Sequence, residues 1–214
     1  VRGYLTGVTS TSAWTAYERG DREFCGNELP DGMRKNEKFP EPIITPSTKA
    51  AKGDHDESVP PSELYKRGVV DPALYKELAR ISMRLYERGV SRAADHGLIF
   101  VDTKYEFGIS NGKIMLMDEV NTPDSSRYWM ADDYEKRFEK KEEPRKLDKE
   151  YVRTWLADKG FTGDGKPPKL TDKLRVEASA RYMEVVENFT GEPMQLEVGP
   201  VDDSIYSILN PFAY

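Results

Sequence analysis

The segment from Leu98 to Val120 constrains the fold more than any other part of the chain. Two runs rich in β-branched, aromatic and long apolar residues surround the dipeptide Asn111-Gly112, which is typical of the turn of a β-hairpin. The sequence therefore predicts two antiparallel strands joined at this turn.

The polar residues of this hairpin indicate a functional site. Side chains alternate between the faces of a strand, so Asp102, Lys104 and Glu106 are predicted to share one face, each about 6–7 Å from the next. Such a row is also found on solvated sheet faces. The acids Asp118 and Glu119 at the end of the second strand favour a site, because converging carboxylates beside a lysine suit Mg²⁺ and phosphate.

The length of the turn decides which acids face each other. A two-residue turn would set Glu106 opposite Met117, whereas a three-residue loop from Asn111 to Lys113 would pair Glu106 with Asp118. Two facing carboxylates repel unless a cation lies between them. We therefore predict the longer, bulged connection and a metal ion shared by Glu106 and Asp118.

Composition narrows the class of protein. The 214 residues suffice for one large domain or one lobe of a two-lobed enzyme, and 37% hydrophobic against 33% charged residues is globular. The net charge of −6 argues against broad binding to nucleic acid or a membrane surface, and no apolar run approaches the ~18–20 residues that span a bilayer. A single cysteine, Cys25, excludes an intrachain disulfide and indicates a reducing compartment.

The remaining elements follow from caps and periodicity. Asp71-Pro72 predicts the start of a helix with a stripe of Leu74, Leu78, Ile81 and Leu85 that ends near Gly97. Two further helices are predicted over 148–159 and 171–189. We expect a loop-rich, proline-rich stretch over 25–62 and a solvated charged segment over 131–143.

Two polar segments near the start of the chain carry further candidates. The hydroxyl-rich run Thr9-Ser-Thr-Ser12 is consistent with an anion site or with an ordinary helix cap. The stretch from Thr45 to Glu57 gathers hydroxyls, a lysine, a histidine and three acids, which favours a functional loop over a mere linker.

Together these motifs resemble the SAICAR synthetase (phosphoribosylaminoimidazole-succinocarboxamide synthase) family. The matching segments, in the family's order, are Val1-Arg-Gly-Tyr4, Thr45-Pro-Ser-Thr-Lys49, His55-Asp-Glu57, Val101-Asp-Thr-Lys-Tyr-Glu-Phe-Gly108, Asp118-Glu119 and Pro123-Asp-Ser-Ser-Arg-Tyr-Trp129. The resemblance implies an α+β fold, the larger lobe of a two-lobed ligase related to kinases and ATP-grasp enzymes, with an antiparallel sheet flanked by helices.

The resemblance also implies an activity. It is an ATP-dependent ligase of purine biosynthesis that joins L-aspartate to the carboxylate of carboxyaminoimidazole ribonucleotide (CAIR), giving SAICAR, ADP and phosphate. The implied route is phosphorylation of that carboxylate followed by attack of the aspartate amine. The implied cofactors are ATP and Mg²⁺ and the implied location is cytoplasmic, with no nucleic-acid or membrane partner and with homo-oligomerisation left open.

The family's site residues carry over onto matching positions. Those implied to be catalytic are Lys104, Asp102 and Asp56. Those implied to bind ATP are Lys49, Glu106 and Asp118, with Glu106 and Asp118 also holding the metal. Those implied to bind the other substrates are Arg2, Ser12, His55, Asp124 and Arg127, of which Arg2, Ser12 and Arg127 would take the nucleotide's 5′-phosphate.

One departure from the family bears on activity. The glycine-rich N-terminal lobe that covers the ATP phosphates is absent from residues 1–214, so we expect this chain to be the ATP- and substrate-binding C-terminal lobe and to be impaired alone. The alternatives are another Mg-ATP phosphotransferase on a related fold and a non-catalytic nucleotide-binding fragment.

Overall fold

A computed structural model describes residues 1–9, 11–48, 57–147, 149–161, 165–194, 199–200, 205–206 and 210. The strands are β1 (Arg2–Leu5), β2 (Glu23–Phe24), β3 (Asn27–Glu28), β4 (Glu37–Ile43), β5 (Leu98–Thr103), β6 (Glu106–Ser110), β7 (Lys113–Met117) and β8 (Ser126–Met130). The helices are α1 (Ala13–Glu18), α2 (Pro61–Lys66), α3 (Pro72–Ala94), α4 (Tyr134–Glu139), α5 (Glu150–Asp158) and α6 (Asp172–Thr190).

The main sheet has four antiparallel strands in the order β4-β1-β5-β8, with helices packed against it, which confirms the predicted α+β class. Phe100 of β5 packs against the α3 residue Tyr86, whose hydroxyl donates to the carbonyls of Phe100 and Val101 at 2.9 and 3.1 Å. Tyr4 and Trp129 lie in a second aromatic cluster on the other side of the sheet, together with Val101.

The three predicted helices are confirmed. Asp71 caps α3 by accepting from the backbone amides of Ala73 and Leu74, and Thr171 caps α6. The most buried face of α3 is formed by Ser82, Tyr86, Gly89 and Ala93, whereas the predicted leucine stripe is half-buried. Within the described residues, no helix has the length and apolar character of a membrane-spanning segment.

The predicted register of the hairpin is wrong. The polar strand does not run unbroken: β5 ends at Thr103, and Glu106 begins a separate two-stranded sheet of β6 and β7. Its turn has two residues, Asn111 and Gly112, both at positive φ, so Glu106 pairs with Met117 instead of Asp118. Asn and Gly tolerate the positive φ that this tight turn needs, so no bulge is required.

Strand β4 and helix α4 lie in segments where the sequence predicted no regular element. Strand β4 contains Pro40 and Pro42, which remove backbone donors, and an edge position is where a sheet accepts this. Helix α4 lies in the segment predicted to be solvated. Its Tyr134 is buried and stacks on Trp129, with ring centroids 5.6 Å apart, so one aromatic residue ties a highly charged helix to the sheet.

Gly89 sets how closely α3 approaches β5, and replacing it tests this packing. A Cβ at Gly89 would lie 2.7 Å from Phe100 Cε1 and 3.0 Å from Asn121 Nδ2. We predict that Gly89→Ala lowers the free energy of unfolding in urea, because overpacking costs about 1–3 kcal/mol and exceeds the ~1 kcal/mol gained in helix propensity.

The matched control is Ser91→Ala, an exposed position on the same helix. It is expected to leave the free energy of unfolding nearly unchanged. A Gly89→Ala protein as stable as the Ser91→Ala protein would contradict the close packing.

Candidate active site

A row of charged side chains crosses the main sheet at one end. Arg2 of β1 pairs in register with Asp102 of β5, and Asp102 pairs with Arg127 of β8. One carboxylate oxygen, Oδ2 of Asp102, lies 3.6 Å from Arg2 Nη1 and forms a closer ion pair with Arg127 Nη1. The three side chains are 17%, 9% and 15% exposed for Arg2, Asp102 and Arg127 respectively, so the row is largely shielded from water.

A β-bulge turns Asp102 towards these arginines. Pairing between β5 and β8 shifts between Phe100, which faces Tyr128, and Asp102, which faces Arg127. The extra residue, Val101, breaks the simple alternation that would have placed Asp102 on the side of Phe100. The bulge therefore re-aims a carboxylate within an otherwise apolar strand.

Electrostatics explains why the row needs its acid. Burial lowers the pKa of Arg2, and the Asp102 carboxylate opposes that shift while the positive charge of Arg127 adds to it. Asp102 thus compensates for the desolvation of two guanidinium groups and for their mutual repulsion. Two arginines held near each other in a shielded position form a natural receptor for a doubly charged anion such as a phosphate ester.

Gly7 and Ser12 lie beside this row. Gly7 has φ +108°, and a Cβ there would lie 2.4 Å from the Ser12 Cβ and 3.6 Å from Arg127 Nη2. The buried Ser12 hydroxyl donates to the Thr9 carbonyl at 2.8 Å and accepts from the Thr15 amide at 3.4 Å, so it caps α1. Of the two interpretations of the hydroxyl run, the cap is observed, and both Ser12 and Arg127 border Gly7.

Glu150 is a member of this network that sequence reasoning missed. It is the first residue of α5, is 2% exposed, and its Oε1 lies 3.4 Å from Arg127 Nη2 and 2.7 Å from Arg153 Nη1. Burial raises the pKa of Glu150, but Arg127 and Arg153 outweigh burial and the net shift is downward. An acid in the first turn of a helix is ordinary, so the sequence carried no signal of this contact.

The acidic hairpin forms a second part of the site. Lys104 lies between β5 and β6, and its Nζ is 2.7 Å from Glu106 Oε1, with Lys104 exposed and Glu106 mostly covered. Asp118 is exposed, follows β7 directly and has φ +62°, so strand alternation no longer fixes its direction. Asp124 is also exposed, with its Oδ1 3.8 Å from Lys149 Nζ.

The facing pair of acids from which the metal site was predicted is not observed. Glu106 and Asp118 are not a facing pair, and the described ranges contain no cluster of three or more acid, histidine or cysteine side chains able to hold a metal ion. Mg²⁺ on a nucleotide usually takes only one or two protein carboxylates, together with phosphate oxygens and water. Two carboxylates, Glu106 and Asp118, are as many as such an open site takes from the protein, whereas a preformed cage is not found among the described residues.

The structure brings together Arg2, Ser12, Asp102 and Arg127, and it separately joins Lys104 to Glu106. Lys49, His55 and Asp56 lie outside the described residues. Gly7 was missed. Its position, between a strand and a hydroxyl-rich run, was the signal that could have found it.

Replacing Asp102 tests whether the row is held by its acid. Asp102→Asn keeps the shape and removes the carboxylate that Arg2 and Arg127 share. We predict a loss of about 3–5 kcal/mol in the free energy of unfolding, the cost of removing one partner of a buried ion pair, measured by urea denaturation.

The control is Asp21→Asn, which breaks a solvent-exposed ion pair with Arg19 and is expected to have little effect. Equal losses in the two proteins would mean that the row does not depend on the Asp102 charge.

Comparison with known proteins assigns the family. Residues 1–169 match the family model of SAICAR synthetase. A phosphoribosylaminoimidazole-succinocarboxamide synthase of Bacteroides thetaiotaomicron is 54% identical over 194 residues, which cover 90% of this chain and 60% of that protein. A chloroplastic synthase of the same name from Arabidopsis thaliana is 45% identical over 208 residues, which cover 96% of this chain and 50% of that protein.

Solved structures agree. The SAICAR synthase of Saccharomyces cerevisiae, complexed with SAICAR, superimposes with a TM-score of 0.72 at 33% identity, covering 91% of this chain and 60% of that one. A SAICAR synthetase in complex with ADP shares the fold with a TM-score of 0.61 at 24% identity. The chain spans about 60% of the length of the Bacteroides relatives that it matches. On the family match and this fold, the chain belongs to the SAICAR synthetase family.

Proposed function

We propose that the protein to which this chain belongs is an ATP-dependent ligase that joins L-aspartate to CAIR, giving SAICAR, ADP and phosphate. The observation that carries the proposal is the shielded row of Arg2, Asp102 and Arg127 beside Gly7, in a member of the SAICAR synthetase family. The yeast relative was solved with SAICAR and a further relative with ADP, which supports the same classes of ligand here.

The arginine row would bind the 5′-phosphate of CAIR. Guanidinium groups offer paired N–H donors in a plane, which suits phosphate oxygens. Because Gly7 has no Cβ, the Ser12 side chain packs closely against its backbone beside Arg127 Nη2. The family resemblance implied a catalytic role for Asp102. Because it is buried between two arginines, we assign it the role of positioning them instead.

The hairpin residues would serve the phosphoryl transfer. Exposed Lys104, oriented by its ion pair with Glu106, is suited to neutralise charge between the CAIR carboxylate and the γ-phosphate of ATP. Glu106 and Asp118 would hold Mg²⁺, and the ion would neutralise the ATP phosphates. Lys49 is proposed for ATP, Asp56 for catalysis, and His55 and Asp124 for the substrates.

The reaction is balanced in two steps. A carboxylate oxygen of CAIR takes the γ-phosphoryl group of ATP, and ADP leaves. The aspartate amine then attacks the carbonyl carbon of the acyl phosphate, a C–N bond forms, inorganic phosphate departs, and the amine loses a proton. The chain's part is to fix the nucleotide at its phosphate end so that the carboxylate lies within reach of Lys104.

The proposal extends to domain organisation, location and partners. We propose that residues 1–214 form the larger, C-terminal lobe of a two-lobed, kinase- or ATP-grasp-like ligase and supply the phosphate end of the nucleotide site. A cytoplasmic location is proposed from the single Cys25, although the Arabidopsis relative is named as chloroplastic. Neither nucleic acid nor membrane is proposed as a partner, and self-association is a question for mass measurement in solution.

Product analysis tests the function. The protein, produced from its complete coding sequence, is incubated with ATP, Mg²⁺, L-aspartate and CAIR, and the products are separated and weighed by mass spectrometry. We expect SAICAR, ADP and phosphate in equal amounts. ADP with a different phosphorylated product would identify another phosphotransferase, and binding of Mg-ATP without turnover would identify a non-catalytic protein.

Gly7→Ala tests the phosphate end of the site. A Cβ at Gly7 would push into Ser12 and towards Arg127, so we predict that the KM for CAIR rises about tenfold or more while the KM for ATP changes little. Gly20→Ala is a matched control, because Gly20 has a similar φ of +104° but open space around its Cβ position. A similar rise in the KM for CAIR in both variants would reject the assignment.

A further inference from the structure

We propose that Glu150 is a positioning residue that orients the Arg127 guanidinium for the phosphate of the nucleotide substrate. The inference rests on the proposed function, and it assigns a role to a helix that lies outside the motifs of the family resemblance. It follows from three observations: the geometry of the Arg127 contacts, the burial of Glu150, and the charge of the network.

The geometry shows an arginine held from two directions. Asp102 of β5 bonds to Nη1 of Arg127, while Glu150 of α5 lies 3.4 Å from Nη2. A guanidinium is planar and rigid, so contacts at its two terminal nitrogens fix both its position and the tilt of its plane. Nη2 is the nitrogen next to Gly7, which makes the Glu150 contact the one nearest to the proposed phosphate position.

The burial of Glu150 needs a reason. A glutamate in the first turn of a helix is favourable at the surface, where it interacts with the helix dipole while staying hydrated. Glu150 is instead 2% exposed, and withdrawing a carboxylate from water is costly unless it is well paired. Its ion pairs with Arg127 and with the more exposed Arg153 supply that compensation. The contact with Arg127 therefore accounts for a burial that α5 alone does not require.

If Glu150 acted only through its charge, its neutralisation would have the opposite effect on phosphate binding from the loss of an orienting contact, so an experiment can separate the two roles. Arg2, Arg127 and Arg153 with Asp102 and Glu150 carry a net charge of +1 by formal count. Neutralising Glu150 raises that count by one, so a network that acted only by charge would bind phosphate more tightly. If Glu150 instead orients Arg127, neutralising Glu150 should weaken the binding of phosphate.

The experiment measures SAICAR binding by calorimetry and the KM values of the complete protein. We expect Glu150→Gln to raise the Kd for SAICAR and the KM for CAIR about tenfold, with the KM for ATP unchanged, because small misplacements of binding groups have large effects. Arg153→Gln is the matched control. It removes the other ion pair of Glu150 and leaves the Arg127 contact, so binding of both ligands should stay the same.

Three further variants exclude a merely structural role. The double variant Arg127→Lys, Glu150→Gln should bind SAICAR no more weakly than Arg127→Lys alone, because Glu150 acts through Arg127. If Glu150→Gln fails to fold, Glu150→Asp keeps the charge and withdraws it from Arg127, and it should show the same rise in the KM for CAIR.

The possible outcomes separate the two proposals. Unchanged or tighter SAICAR binding in Glu150→Gln, or additive effects in the double variant, would overturn the positioning role. A wild-type protein that neither forms nor binds SAICAR would instead overturn the proposed function.

Discussion

Asp102 is a carboxylate held between two arginines on neighbouring strands, and the candidate site is arranged around it. Its strand, β5, pairs with β1 on one side and with β8 on the other, so one carboxylate lies between guanidinium groups from two different strands. Without it, burial and mutual repulsion would drive Arg2 and Arg127 apart or into solvent. Asp102 is therefore the group that allows Arg2 and Arg127 to lie close together, while Glu150 pairs with Arg127 alone of the two.

The apolar framework fixes where that group lies. Tyr86 of α3 packs against Phe100 on one side of β5, and the stacked rings of Trp129 and Tyr134 cover the other side. The bulge at Val101 then moves the following residue to the side of the arginines. The bulge thus allows a strand that is otherwise packed in the core to present the charged Asp102 near its end. The exposed Lys104 follows two residues later.

Local signals in the sequence predicted much of the fold. The caps at Asp71 and Thr171 were readable because a side chain and its backbone partners lie within three residues of each other. The edge strand with Pro40 and Pro42 was missed, since prolines argue against a strand unless its edge position is known. The hairpin register failed because facing acids were given more weight than the tight turn that Asn111-Gly112 favours.

The site was predicted in its residue types more than in its arrangement. Arg2, Asp102 and Arg127 were identified from motifs, but their meeting depends on a strand order and a bulge that no local pattern encodes. Glu150 and Gly7 were missed because the importance of each depends on its proximity to Arg127, which lies 23 positions from Glu150 and more than a hundred from Gly7.

The most direct measurement is a crystal structure of the complete protein with SAICAR bound. The account predicts the 5′-phosphate within hydrogen-bonding distance of Arg127 and Arg2, close to the backbone of Gly7, with Asp102 and Glu150 still paired to Arg127. A phosphate bound elsewhere, with the arginine row closed on its own carboxylates, would contradict the account.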